Sequence, residues 1–183
     1  MTCIVGMIDG DSVWIGGDSY GSTNQLKVLR KDPKVFRVGE FLIGYTSSFR
    51  MGQLLQYSFT PPKQRTEESD HEYLATRFID AVRRCFISGG YSKVANGVEE
   101  GGSFLVGYKG KLYEVENDFQ VGIPANNFAA VGSGMYFALG SLFTLKDPIL
   151  SPEEKIRQAL DTAAYFNPFV GGEYTILKSD KEV

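Results

Sequence analysis

No apolar run in this 183-residue chain approaches the length needed to cross a bilayer, so the sequence offers no transmembrane helix. No cluster of basic residues stands out against the net charge of −3, which leaves nothing to hold a nucleic-acid backbone. The only two cysteines, Cys3 and Cys85, fit a reducing compartment and define neither a disulfide framework nor a metal site. No signal peptide is expected, because no basic stretch precedes the first apolar residues, and Asp9 and Asp11 interrupt them. Together these absences point to the cytoplasm, without membrane or nucleic-acid partners. Repeats, linkers and low-complexity blocks are also absent, so residues 1–183 read as one domain, long enough for a sizeable core. What is present is ordinary globular composition, 43% hydrophobic and 22% charged. The 21 glycines, set among many aromatic residues, imply tight turns and close backbone approaches rather than disorder.

Residues 3–8 and 12–17 are short apolar runs on either side of Asp9-Gly10-Asp11, a hairpin signal. Residues 34–38 and 41–45 repeat the pattern around Gly39-Glu40, and 21–30 is a polar excursion between the two strand pairs. Met51, Leu54 and Leu55 recur at helical spacing before Pro61 and Pro62 end the run. Ser69, with Glu72 three residues on, forms a capping box. It heads an amphipathic helix that carries Leu74, Phe78, Val82 and Cys85 on one face and stops at Gly89-Gly90. Residues 91–102 read as a polar loop or flap. Residues 103–108 and 111–116 form a hairpin turned at Gly110, and 127–131 is a further strand. Residues 133–145 are helical; Ser151-Pro152-Glu153-Glu154 opens a helix reaching about Phe166; 173–177 is the last strand. This order predicts an α+β fold of two antiparallel sheets packed face to face with helices outside.

Thr2 directly follows Met1, with Asp18 and then Lys34 downstream at steps of sixteen residues. Removing Met1 would give Thr2 both a hydroxyl nucleophile and a free α-amine, a self-contained nucleophile and base. Such an amine has a reference pKa of about 8, near enough to neutral to take the hydroxyl proton. A buried cation beside it would favour the neutral amine, and Lys34 is the candidate. A buried lysine needs a counter-charge, and Asp18 is the candidate. Cys3 is a rival nucleophile only if Thr2 is also removed, which breaks register with Asp18 and Lys34, so it reads as a buried strand residue. Cys85 and Trp14 read as packing residues and His71 as a surface residue.

Thr2-Cys3-Ile4-Val5-Gly6, Ile15-Gly16-Gly17-Asp18 and Lys34-Val35-Phe36-Arg37-Val38 resemble the proteasome β-subunits and the HslV-type bacterial peptidase. The resemblance continues in Ile43-Gly44-Tyr45, Ala130-Val131-Gly132-Ser133-Gly134 and Gly171-Gly172, nearly end to end. It implies an N-terminal nucleophile hydrolase with a four-layer αββα sandwich, in which the aspartate orients the lysine. The length is closer to the HslV type, and no propeptide is expected ahead of Thr2. Met1 is expected to leave by autocatalysis or an aminopeptidase. The resemblance further implies a homo-oligomeric ring, a peptide or protein substrate and an ATP-dependent unfoldase partner, with no cofactor and no metal. The oxyanion donor falls at Ser48. Ser133 is either a helix cap or, as the family implies, support for the N-terminal amine.

Two departures from the family bear on activity. Proteasome β-subunits carry an aspartate and a serine near the final Gly-Gly, where this chain has Asn167 and Val170. Asparagine still hydrogen-bonds but carries no charge, so its support of the amine is open. The family's glycine at the oxyanion position is Ser48 here. Three functions therefore stand at this level: a threonine peptidase acting through Thr2, an amidohydrolase of the same fold acting on a small or conjugated amide, and an inactive shell subunit. Residues 91–102 are where cleft shape is expected to be set, and the polar tail at 178–183 reads as a frayed end.

Overall fold

The computed structural model describes residues 2–22, 26–145 and 147–179. Met1 and the tail from residue 180 onward lie outside the described residues. The chain opens with the hairpin β1 (Ile4–Asp9) and β2 (Ser12–Gly17), turned at Gly10 with a φ of 56°. A small hairpin, β3 (Tyr20–Ser22) and β4 (Lys27–Leu29), occupies the expected polar excursion. Next come β5 (Val35–Val38) and β6 (Phe41–Tyr45), then α1 (Phe49–Tyr57), α2 (Asp70–Tyr73) and α3 (Ile79–Ser88). The hairpins β7 (Lys93–Ala95) with β8 (Val98–Glu100), and β9 (Phe104–Tyr108) with β10 (Lys111–Val115), follow. The last elements are β11 (Val121–Gly122), β12 (Phe128–Val131), α4 (Met135–Thr144), α5 (Pro152–Phe166) and β13 (Thr175–Lys178).

Two antiparallel sheets form the centre, in the orders β12-β1-β2-β13 and β11-β10-β9-β6-β5. Ile4, Val13, Ile15, Leu42, Leu105 and Leu112 fill the space between them. On the outer face of the first sheet, α5 lays down Ile156, Ala159, Leu160 and Ala163, one helical stripe, beside α4. Gly16 admits this helix, since a Cβ there would sit 2.4 Å from the Ile156 Cγ2. On the outer face of the second sheet lies an aromatic layer under α1 to α3, in which Phe41 stacks on Tyr108 at 4.5 Å. The expected αββα sandwich is the architecture observed. The helix after Ser69 is α2 and α3 joined through a π-helical turn, Leu74–Phe78, and both serine caps form as expected.

The segment 91–102 is not a loop. It holds the β7–β8 hairpin, and Glu99 anchors it to α3 through an ion pair with Arg83 at 2.6 Å. Its turn is Asn96-Gly97, both at positive φ (52° and 80°), the pair that a two-residue hairpin turn demands.

The closest backbone approach in the helical layer is at Gly52 on α1, where a Cβ would lie 2.1 Å from the Tyr45 ring. Gly52→Ala should therefore lower stability by about 1–3 kcal/mol through overpacking, although alanine is the better helix former. Urea unfolding of the two proteins is the check; equal midpoints would mean that the layer yields freely.

Candidate active site

The β1–β2 ladder pairs Ile4 with Gly17, so the next residues outward, Cys3 and Asp18, face each other at the open end of the hairpin. Asp18 N–H donates to the Cys3 carbonyl at 3.3 Å, and Cys3 N–H donates to Asp18 Oδ1 at 3.1 Å. Lys34, immediately before β5, reaches across from the second sheet and donates through Nζ to the same Oδ1 at 2.7 Å. It also donates to the Tyr20 carbonyl at 2.7 Å. The other Asp18 oxygen accepts from the N–H groups of Tyr20 and Gly171, each at 3.3 Å. The side chains of Asp18 and Lys34 are 0% and 1% exposed, so this is a fully buried ion pair. Burial depresses the Lys34 pKa, and the charge and hydrogen bond of Asp18 oppose that shift.

Thr2 is buried beside this pair, one peptide bond from the Cys3 N–H that Asp18 holds. Its nitrogen is a peptide nitrogen while Met1 is attached and stands in for the α-amine. It donates to Ser133 Oγ at 3.3 Å, and the Ser133 hydroxyl reaches the Thr2 carbonyl at 3.4 Å. Asn167 Nδ2 donates to Ser133 O at 3.0 Å and to Ser133 Oγ at 3.2 Å. The Phe169 N–H donates to Asn167 Oδ1 at 3.0 Å, which fixes the orientation of the amide. Ser133 is therefore not the cap of α4, whose cap residue is Gly134. Gly132 has a φ of 98°, and a Cβ on it would lie 2.3 Å from the Thr2 carbonyl oxygen. Val170 packs into the core under α5.

Ser48 caps α1, accepting from Arg50 N–H through its hydroxyl. Its own N–H donates to the Thr46 carbonyl at 2.9 Å across Ser47, which has a φ of 72°. That is a tight γ-turn, a strained conformation for a residue with a side chain. Cys3 has no exposed surface, and burial with the neighbouring Asp18 charge pushes its thiol up to about 12. At neutral pH it is a protonated core residue, not a nucleophile.

Gly132 also borders a cavity of about 260 Å³ lined by Thr46, Ser47, Glu114, Glu116 and Met135, among others. Sequence reasoning assigned no role to these carboxylates. Leu112, Glu114 and Glu116 alternate along β10 and its end, and Leu112 belongs to the core between the sheets. Glu114 thus occupies the inward-facing row at the mouth of the sandwich. Burial, the Glu116 charge and a hydrogen bond between the two carboxyls push it up to about 7. Among the described residues, no group of three or more metal-ligating side chains occurs, and no helix is long and apolar enough to cross a membrane.

No family model matches the sequence. Solved structures share the fold over nearly its whole length. BPH from Thiobacillus denitrificans is 18% identical, with a TM-score of 0.80 over 97% of both chains. The same protein in complex with epoxomicin gives 0.79 at the same identity and coverage. Eukaryotic HslV from Trypanosoma brucei is 18% identical, with a TM-score of 0.67 over 97% of this chain and 98% of that one. The chain therefore has the proteasome- and HslV-type fold that its motifs imply.

The raised Glu114 pKa sets a sign for stability against pH. Between about 4.5 and about 7 the folded protein keeps a proton that the unfolded chain has released, so stability falls as pH rises through that window. Discounted for partial solvent screening, the loss is about 1–2 kcal/mol. Glu114→Gln should remove it, so the Tm of the variant relative to the parent should climb by about 3–6 °C from pH 4.5 to 8. A constant difference would show that Glu114 titrates normally.

Proposed function

We propose that this chain is a threonine peptidase that cleaves peptide bonds through Thr2 once Met1 is removed. The observation that carries the reading is the junction of two networks on one dipeptide: Ser133 Oγ holds Thr2 N, and the buried Lys34–Asp18 pair holds Cys3 N. In this reading the freed α-amine takes the Thr2 hydroxyl proton as Oγ1 attacks the substrate carbonyl carbon. The Lys34 charge disfavours a second positive charge on the amine, which keeps it a base. Collapse of the tetrahedral intermediate breaks the C–N bond, and the proton passes to the leaving amine. Water then hydrolyses the acyl ester on Thr2 and restores the hydroxyl. Ser48 N–H is the proposed oxyanion donor, exchanging its bond to the Thr46 carbonyl for the charged oxygen. Asn167 sustains the arrangement without a charge, by orienting Ser133.

Within this proposal the protein works as a homo-oligomeric cytoplasmic ring, because enclosure limits what an unselective peptidase reaches. An ATP-dependent unfoldase would then feed it. A protein that sediments as a monomer at micromolar concentration would remove the ring from the proposal. Against an inactive shell subunit stands the cost of keeping Lys34 and Asp18 desolvated, which a purely structural site avoids with apolar residues. The alternative of a small-amide hydrolase shares every catalytic step. Cleavage of a small-amide panel but of no peptide would favour it.

Intact-mass measurement with a peptide epoxyketone tests the nucleophile. Loss of Met1 and one adduct are expected, and Thr2→Ala should abolish adduct and turnover while leaving the Tm nearly unchanged. Turnover by Thr2→Ala at the parental rate would overturn the proposal. Lys34→Ala should be nearly as inactive and, by leaving the Asp18 charge buried, should also cost about 3–5 kcal/mol in thermal or urea unfolding. Lost stability with retained activity would make the pair structural only.

A further inference from the structure

The cavity bordered by Gly132 combines features that the catalytic steps do not use. It lies between the residue that abuts the Thr2 carbonyl and the turn that holds Ser48. Two carboxylates, Glu114 and Glu116, close one side. Ser103 Oγ donates to Glu116 Oε2 at 3.3 Å, and the two carboxyls hydrogen-bond each other. Thr46 lines the same space, its Oγ1 3.0 Å from where a Cβ on Gly132 would stand. Thr46 is 7% exposed, yet its hydroxyl makes no hydrogen bond among the described residues. The oxygen therefore keeps its access to the cavity, where a guest can take it as a hydrogen-bond partner. Val131 and Met135 line the remainder with apolar surface.

The pair is also expensive in folding terms. Glu114 stands in the inward row of β10, where Leu112 two residues earlier packs between the sheets. An apolar residue at 114 would extend that core without desolvating a carboxylate beside another. A group held against stability at the rim of a candidate active site is a functional candidate.

Resting on the Thr2 reading, we propose that this cavity is a specificity pocket for the basic side chain of a peptide residue next to the scissile bond. The ammonium or guanidinium head would bond to Glu114 and Glu116 and to the Thr46 hydroxyl, while its methylene stem lies along Val131 and Met135. A neutral side chain of equal length fills the stem but leaves the carboxylates unpaired, and an acidic one adds like charge.

The test measures binding, so it does not depend on turnover. Three blocked pentapeptides, acetyl-Gly-Gly-X-Gly-Gly-amide with X as lysine, norleucine or glutamate, are titrated calorimetrically into the Thr2→Ala protein. Lysine should bind about tenfold or more tightly than norleucine, and glutamate most weakly. Adding Glu114→Gln and Glu116→Gln should bring lysine and norleucine together. Thr46→Val, which keeps the shape, should weaken the lysine peptide more than the norleucine peptide. Equal binding of lysine and norleucine in the Thr2→Ala protein would overturn the pocket, whether or not the glutamine variants fold. So would a lysine preference that survives both glutamines. The epoxyketone adduct on the unmutated chain reports separately on the nucleophile, so the two ideas fail on different measurements.

Discussion

The arrangement depends on one buried charge pair. Lys34 comes from the entry to the second sheet and Asp18 from the exit of a strand in the first, so their 2.7 Å contact joins the two sheets at one end. Asp18 then spends its remaining capacity on the backbone of Cys3, Tyr20 and Gly171. These are three separate chain segments, and each lies against the N-terminal strand or the turn before the last one. Such a carboxylate acts less as an adhesive than as a template, because every donor that it holds has only one direction to point. The segment bearing Thr2 inherits its position from that template.

The sandwich geometry explains why the candidate site gathers where it does. Between the sheets the core is aliphatic and closed; outside each sheet a helical layer covers it. Only at the strand ends do backbone groups and side chains of both sheets become accessible together. Thr2, Ser133 and the turn at Ser47 all lie at such ends, on the segments flanking β1, β12 and β6. Loops and element ends carried by a rigid scaffold are where functional groups usually collect.

Much of this was legible in the sequence, for identifiable reasons. The first hairpin was readable from Asp9-Gly10-Asp11, and the register of that tight turn is what sets Asp18 against Cys3. The serine caps at Ser69 and Ser151 are local chemistry and formed as written, with the glutamate half of the box closing at Ser151. The hairpin within 91–102 carried its own signal, Asn96-Gly97, but its strands are three residues long and exposed, so no alternation announced them. The π-helical turn at Leu74–Phe78 left no mark, because its residues suit an ordinary helix equally well. The carboxylates of 114 and 116 were hidden for a different reason. Both faces of β10 are covered, by the helical layer and by the opposing sheet, so polar alternation along it does not indicate solvent. Ser133 had two plausible roles by type; the structure gives the cap of α4 to Gly134 and sets the Ser133 hydroxyl against Thr2 N and Asn167.

The γ-turn at Ser47 has a consequence of its own. The Ser48 amide hydrogen does not wait for a guest; in the resting chain it is already spent on the Thr46 carbonyl. Under the proposed function, a neutral substrate carbonyl gains almost nothing by taking that hydrogen from another carbonyl of equal strength. A negatively charged oxygen gains a good deal, and the release of the strained turn adds to it. A donor arranged in this way acts as a threshold: it ignores ligands that merely resemble the amide and answers to charge. In the proposed mechanism, tightness of binding and speed of reaction then become separable properties.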